Sequence, residues 1–159
     1  MSRSNYLKLA IALAVPQIAG IIGSIFTADA ISGWYRTLAR PELAPPSWVF
    51  APVWTTLFLL MGIAAFLVWR KGLTAKGVRP ALGFFCAQLA LNTLWSAVFF
   101  GMRNPGLALI EIGVLWVAIV ATAALFYRVS RTATSLLIPY ILWVSFAAYL
   151  NYQFWALNG

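Results

Sequence analysis

Five long apolar stretches run through this 159-residue chain and leave it few architectures to adopt. A helix rises about 1.5 Å per residue, so roughly 20 apolar residues cross the hydrocarbon core of a bilayer, which is about 30 Å thick. The stretches predict an all-α integral membrane protein, in which residues 1–159 form a single domain with a bundle of five transmembrane helices. The predicted spans are residues 6–27, 47–69, 80–101, 105–127 and 134–155.

Charged side chains are too rare to coat a water-soluble globule of this size. They make up 9% of the residues, against about 25% in an ordinary soluble domain, while 63% of the residues are hydrophobic. Mean hydropathy is +0.88. The composition therefore favours a compact membrane domain. The first span is longer than the apolar core of a cleavable signal peptide, so we expect it to be retained.

The net charge of +8 invites a nucleic-acid partner, but the positions of the basic residues argue against one. Most of them lie in short segments between the apolar stretches, and they form no stripe along one face. They also favour one side of the membrane, which predicts a cytoplasmic N-terminus and an outside C-terminus. The N-terminal side holds Arg3, Lys8, Arg70, Lys71, Lys76, Arg79, Arg128 and Arg131, and the opposite side holds only Arg36, Arg40 and Arg103.

Several residue types needed for common chemistry are scarce. The sequence has no histidine and one cysteine, Cys86, which lies inside an apolar stretch. A histidine-ligated haem, a zinc site and a Ser-His-Asp triad are therefore excluded. The acids number three, Asp29, Glu42 and Glu111. We expect no metal site and no cofactor. The sequence also offers few side chains that could act as a general acid or base in catalysis.

Polar and aromatic residues of the third span share one helical face. At spacings i, i+4, i+7 and i+11 this face carries Gln88, Asn92, Trp95 and Phe99. Amides are costly in hydrocarbon unless they are paired, so they usually point into the bundle or towards a cavity. This face is therefore predicted to point inward.

Two other spans also carry large rings that can face the bundle interior. In the fifth span, Trp143 and Ala147 are one turn apart, and the alanine leaves room beside the indole. In the second span, Trp54 and Phe58 share a face. These groups are predicted to converge in one half of the bundle, beneath the loop between the first two spans. That first loop, residues 28–45, is long enough to act as a lid.

Such a cavity has flat aromatic walls and few polar groups, which suits a large planar apolar ligand. Ring stacking adds about 0.5–1.5 kcal/mol per pair beyond the burial of area. Alternatively, the amides only hold helices together, at about 0.6 kcal/mol each, and the sequence leaves the two interpretations nearly even. Glu111 is a candidate functional acid because it lies inside the fourth span, although we favour a structural role.

Three segments together resemble one known family. They are "WYRTLARPELAPPSWVFAPVWTTLFLLMGIA", "QLALNTLWSAVFFG" and "PYILWVSFAAYLNYQFWALN". In this order they are similar to the tryptophan-rich sensory protein and translocator protein family (TspO/MBR), which includes the peripheral-type benzodiazepine receptor. The resemblance covers about residues 6–158. It implies a five-helix membrane bundle, often a homodimer, embedded in membrane lipid.

The resemblance also implies ligands and site residues. Family members bind porphyrins, notably protoporphyrin IX, and isoquinoline or benzodiazepine-type drugs, and many bind cholesterol. The chain is therefore expected to be a membrane receptor or transporter for such planar apolar ligands. By the resemblance, Trp34 and Tyr35 match the aromatic pair of the lid, and the pocket-lining positions match Trp54, Asn92, Trp95, Trp143 and Ala147.

The resemblance leaves two alternative functions open, and the sequence differs from the family pattern at some positions. Some family members are proposed to degrade porphyrin in light, and a small proton-coupled drug exporter using Glu111 is a third hypothesis. The sterol pattern needs a basic residue after Tyr152, and none follows, which puts sterol binding in doubt. Glu42 and Leu43 stand where the family commonly has an aromatic. Bacterial members lie in the cell envelope and eukaryotic ones in the mitochondrial outer membrane, and the bacterial location is expected here.

Overall fold

The computed structural model describes residues 2–159, which form helices and no strand. A 3₁₀ turn, Ser47–Val49, leads into the third helix, and a π-helical turn, Ala97–Gly101, extends the fourth. Five helical segments are long and apolar enough to cross a membrane, which confirms the predicted fold class. The α-helices are α1 (Arg3–Ser32), α2 (Trp34–Thr37), α3 (Phe50–Trp69), α4 (Val78–Ser96), α5 (Pro105–Val129) and α6 (Arg131–Asn158).

The first loop is shorter than predicted. Helix α1 continues to Ser32 instead of ending near residue 27, so the loop comprises residues 33–46 and contains the single turn of α2. Ala30, in the added part of α1, is buried. Tertiary packing of this kind extends helices beyond what local sequence signals indicate.

Capping side chains fix where α5 and α6 begin. The Oδ1 atom of Asn104 accepts a hydrogen bond from the backbone N–H of Leu107 at 2.9 Å, and Pro105 takes the first helical position. The hydroxyl of Ser130 accepts one from the backbone N–H of Ala133 at 3.3 Å. This cap starts α6 earlier than the predicted position near residue 134.

The long helices pack in a closed order. Helix α1 lies against α3, α3 against α6, α6 against α5, α5 against α4, and α4 against α1. Helix α5 therefore sits on the far side of the bundle from the contact between α1 and α3. The space enclosed by α1, α3, α4 and α6 is where the candidate site lies.

A close backbone contact joins α1 to α3 at depth. Pro16 has no N–H, so the carbonyl of Ala12 lacks its partner one turn later in α1. Gly62 of α3 packs directly against that carbonyl, since a Cβ atom at position 62 would lie 2.6 Å from its oxygen and 2.9 Å from the Cα atom of Leu13. Only glycine fits at this crossing, where a Cα–H can lie against the free oxygen.

The outer surface of the bundle is apolar, as hydrocarbon requires. Helix α1 is the least buried of the five, and Ile18, Ile21 and Ile25 are more than half exposed. On α4, Gly83 and Ala87 are exposed and lie one turn apart, a spacing of small residues that permits close contact between helices. Contact between two copies through this face stays a prediction, as does the direction of insertion.

Candidate ligand-binding cavity beneath the first loop

A cavity of about 370 Å³ lies between α1, α3, α4 and α6, under the first loop. None of its lining side chains carries a formal charge. Seven residues from the predicted site line it, namely Tyr35, Trp54, Phe58, Asn92, Trp95, Trp143 and Ala147. The predicted convergence of three spans beneath the loop is therefore present in the fold.

Aromatic rings from α3 and α6 build one wall. The rings of Trp54 and Phe58 are stacked, with centroids 5.5 Å apart and planes 28° apart. The edge of Tyr140 meets Trp54 at 6.3 Å, and Phe50 meets Trp143 edge-on at 6.1 Å. Each ring is braced by a second ring, so the wall is rigid and presents flat apolar area.

A buried hydrogen-bond chain lies at the deep end of the cavity. The Nδ2 group of Asn92 donates to the Tyr140 hydroxyl at 2.9 Å, and that hydroxyl donates to Oε1 of Gln88 at 2.6 Å. Tyr140 and Gln88 are each 1% exposed. Gln88 is predicted to line the cavity, but it does not, because it lies one turn deeper than Asn92 and its amide is committed to Tyr140.

Trp95 is held by a second polar chain. Its indole N–H donates to Oδ1 of Asn151 at 2.9 Å, and Nδ2 of Asn151 donates to the carbonyl of Pro105 at 2.7 Å. Asn151 thus connects α4, α6 and the start of α5. A tryptophan whose N–H is satisfied in this way keeps one orientation and presents a fixed face to the cavity.

The end of α4 corrects one predicted position. Phe99 is predicted on the cavity face, but it is 2% exposed and packs away from the cavity, and Phe100 lines the cavity instead. The backbone N–H of Met102 bonds to the carbonyl of Ala97 at 2.8 Å, an i→i−5 bond. This wide π turn advances the helical face by one residue, which a regular period of 3.6 does not anticipate.

The neighbouring side chains of Trp34 and Tyr35 point in different directions. Successive helical residues point about 100° apart, so both cannot face the cavity. Tyr35 lines it, is 4% exposed, and packs on Phe154 with ring centroids 5.2 Å apart. Trp34 does not line it, contrary to the prediction. It packs edge-on against Phe99 at 5.9 Å and faces a second depression beside the start of α5.

Two contacts hold the first loop down. The Asn158 side chain accepts from the backbone N–H of Ala39 at 2.8 Å and donates to its carbonyl at 3.1 Å. The guanidinium of Arg40 lies 5.8 Å from the centre of the Tyr35 ring and donates to the carbonyl of Pro45 at 2.9 Å. Burial raises the pKa of Tyr35 above its ordinary value, and Arg40 partly opposes that shift. Tyr35 is therefore an uncharged phenol at neutral pH.

The contribution of α1 to the cavity is absent from the predicted site. Its lining residues include Gln17, Gly20, Ser24 and Thr27, at spacings i, i+3, i+7 and i+10. That spacing is one helical face of small and polar residues in an otherwise apolar span. The signal was present in the sequence, but it is weaker than a stripe of tryptophans.

Glu111 lies outside the cavity lining, on α5. It is 8% exposed, and within residues 2–159 neither carboxylate oxygen has a hydrogen-bond partner. We therefore expect Glu111→Gln to leave the melting temperature in detergent unchanged or to raise it slightly, because the amide avoids burying a charge. A control is Glu42→Gln, which changes an exposed acid. A proton-coupled exporter would instead lose pH-dependent drug transport in Glu111→Gln vesicles.

These features define a class of integral membrane protein, a five-helix bundle that encloses an aromatic cavity free of charged side chains beneath its first loop. The chain belongs to the TspO/MBR family, whose family model matches residues 12–156. This match confirms the resemblance found in the sequence motifs.

Named relatives cover most of the chain. It is 45% identical over 152 residues to the tryptophan-rich protein TspO of Chlorobaculum tepidum, covering 96% of each chain. It is 41% identical over 145 residues to the translocator protein of Homo sapiens, covering 90% of this chain and 85% of the relative. The tryptophan-rich sensory protein of Cereibacter sphaeroides is 41% identical over 125 residues, covering 79% and 77%. Family membership supports a role as a membrane receptor or transporter.

Proposed function

We propose that this chain binds planar apolar ligands in the cavity, with porphyrins such as protoporphyrin IX and isoquinoline or benzodiazepine-type drugs as the ligand classes. The observation that carries the proposal is the set of braced indoles, Trp54, Trp95 and Trp143, around an uncharged space. Flat rings packed against a flat ligand favour stacking, and their rigidity lowers the entropy cost of binding.

Size and charge indicate how each ligand class would sit. A volume of about 370 Å³ is at the lower end of the range for small-molecule sites. A drug with three or four rings is enclosed almost completely, whereas a tetrapyrrole projects past the rim. Burying a carboxylate without a partner costs several kcal/mol. The porphyrin therefore binds with an apolar edge inside the cavity and its carboxylates outside it, directed towards the headgroup region of the bilayer.

Equilibrium titration of protoporphyrin IX tests this proposal. Trp54→Leu and Trp143→Leu are each expected to weaken binding by about 2- to 10-fold, because each removes a stacking contact of about 0.5–1.5 kcal/mol. The matched control is Trp48→Leu, since Trp48 is 74% exposed and does not line the cavity. Porphyrin absorbance in detergent or nanodiscs gives the Kd without relying on the altered tryptophan emission.

The dimethyl ester of protoporphyrin IX serves as the comparison ligand in that titration. If the carboxylates lie outside the cavity, the ester binds the wild-type chain at least as tightly as the diacid. Two results count against the proposal. One is an equal Kd for wild type, Trp54→Leu and Trp143→Leu, and the other is a marked preference for the diacid.

A further inference from the structure

The first loop closes the cavity on the side that faces water. Its Ala39 forms two hydrogen bonds with Asn158 at the end of α6. Tyr35 of the same loop is almost fully buried and packs on Phe100 and Phe154. A planar ligand arriving from water would have to break these contacts before it reached the indoles.

The cavity is open on another side, between α1 and α3. Four of the residues that line the cavity are also exposed, and all four belong to these two helices. They bound what we call the lateral opening, and they are Ile21 and Ser24 of α1 with Ala51 and Thr55 of α3. Ala51 and Thr55 follow Ser47 by four and eight residues, which is about 6 and 12 Å along the helix axis. The lateral opening therefore faces the bilayer and not bulk water.

Contacts between α1 and α3 set the limits of the lateral opening. Deeper in the bundle the two helices touch closely, because a Cβ atom at Gly20 would overlap the Phe58 ring. At the deep edge, Nε2 of Gln17 donates to the carbonyl of Thr55 at 3.2 Å. This hydrogen bond, from a side chain of α1 to the backbone of α3, connects the two helices beside the lateral opening.

We propose that planar apolar ligands reach the cavity from the hydrocarbon of the bilayer, through the lateral opening, and that the Gln17–Thr55 hydrogen bond restrains its width. This inference rests on the proposed function. Ligands of this chemistry concentrate in the bilayer, so a lipid-facing route draws on the compartment that holds most of the ligand. The loop contacts then hold the ligand in place instead of admitting it.

Stopped-flow exchange of protoporphyrin IX in phosphatidylcholine nanodiscs tests the route. Ala51→Phe, which fills the lateral opening, is expected to lower both the association and the dissociation rate by about tenfold, so their ratio changes much less than either rate. Gln17→Ala is expected to raise both rates by roughly 2- to 10-fold, the effect of one net hydrogen bond. Ile22→Phe places the same phenyl ring at an exposed position of α1 outside the cavity lining and should leave both rates unchanged.

A disulfide across the loop contact separates this route from access through the loop. Ala39→Cys with Asn158→Cys, in a Cys86→Ser background, is expected to exchange porphyrin at the same rate when oxidised and when reduced. The lateral route is overturned if oxidation stops exchange while Ala51→Phe and Gln17→Ala keep wild-type rates. Absence of equilibrium binding to the wild-type chain would overturn the proposed function itself, and this inference with it.

Discussion

Gly62→Ala is expected to lower the melting temperature of the purified chain by roughly 5–10 °C, from an overpacking cost of about 2–3 kcal/mol. The added methyl group would lie 2.6 Å from the carbonyl oxygen of Ala12 and 2.9 Å from the Cα atom of Leu13. Both are backbone atoms, so no side chain can rotate away and the two helices must separate. Thermal unfolding in detergent, followed by circular dichroism, measures the shift.

Gly113→Ala provides the matched control for this change. Gly113 also lies inside a long helix, but a Cβ atom there would have no heavy atom within 4 Å. Alanine favours the helix over glycine by up to about 1 kcal/mol, so this variant is expected to melt at the same temperature or slightly higher. Equal shifts for the two variants would contradict the close contact between α1 and α3.

The hydroxyl of Tyr140 is expected to be the single polar group whose removal costs most. Tyr140→Phe leaves the amides of Asn92 and Gln88 without their buried partner. Each unsatisfied group costs about 1–3 kcal/mol, so the free energy of unfolding should fall by about 2–6 kcal/mol. Tyr149→Phe, at an exposed position of the same helix, should change it very little.

A double variant separates the hydrogen-bond chain from simple packing. Gln88→Met removes one of the two stranded amides, so adding it to Tyr140→Phe should recover part of the lost melting temperature. If the effects of the two substitutions simply add, the hydroxyl does not couple α4 to α6. Porphyrin titration of both variants would also report whether Asn92 keeps its position at the cavity.

The sequence predicts the helices well because hydrocarbon imposes a length and a composition that few other environments require. The sequence also predicts several residues of the bundle interior, because Asn92, Trp95, Trp143 and Ala147 lie on regular helical faces that converge. One of the errors has a local cause. The π turn at Ala97–Gly101 moves the cavity face from Phe99 to Phe100, and no pattern of residues in the sequence predicts this turn.

Other differences arise from tertiary contacts that a single span does not encode. Gln88 has the spacing of a cavity residue, but its side-chain amide accepts a hydrogen bond from Tyr140, which lies 52 positions later in the chain. Trp34 follows the family pattern, but its neighbour Tyr35 already occupies the direction towards the cavity. Burial of α1 residues around the site depends on where α3 crosses, which is decided by the glycine at position 62 and the free carbonyl opposite it.

The pair of hydrogen bonds between Ala39 and Asn158 has a practical consequence for protein engineering. A purification tag or fluorescent fusion joined after Gly159 starts one residue from the side chain that fastens the roof of the cavity. Such a fusion is expected to disturb the contact between the first loop and α6 without touching a lining residue. The start of α1 lies about 45 Å away along that 30-residue helix, which makes the N-terminus the safer attachment point.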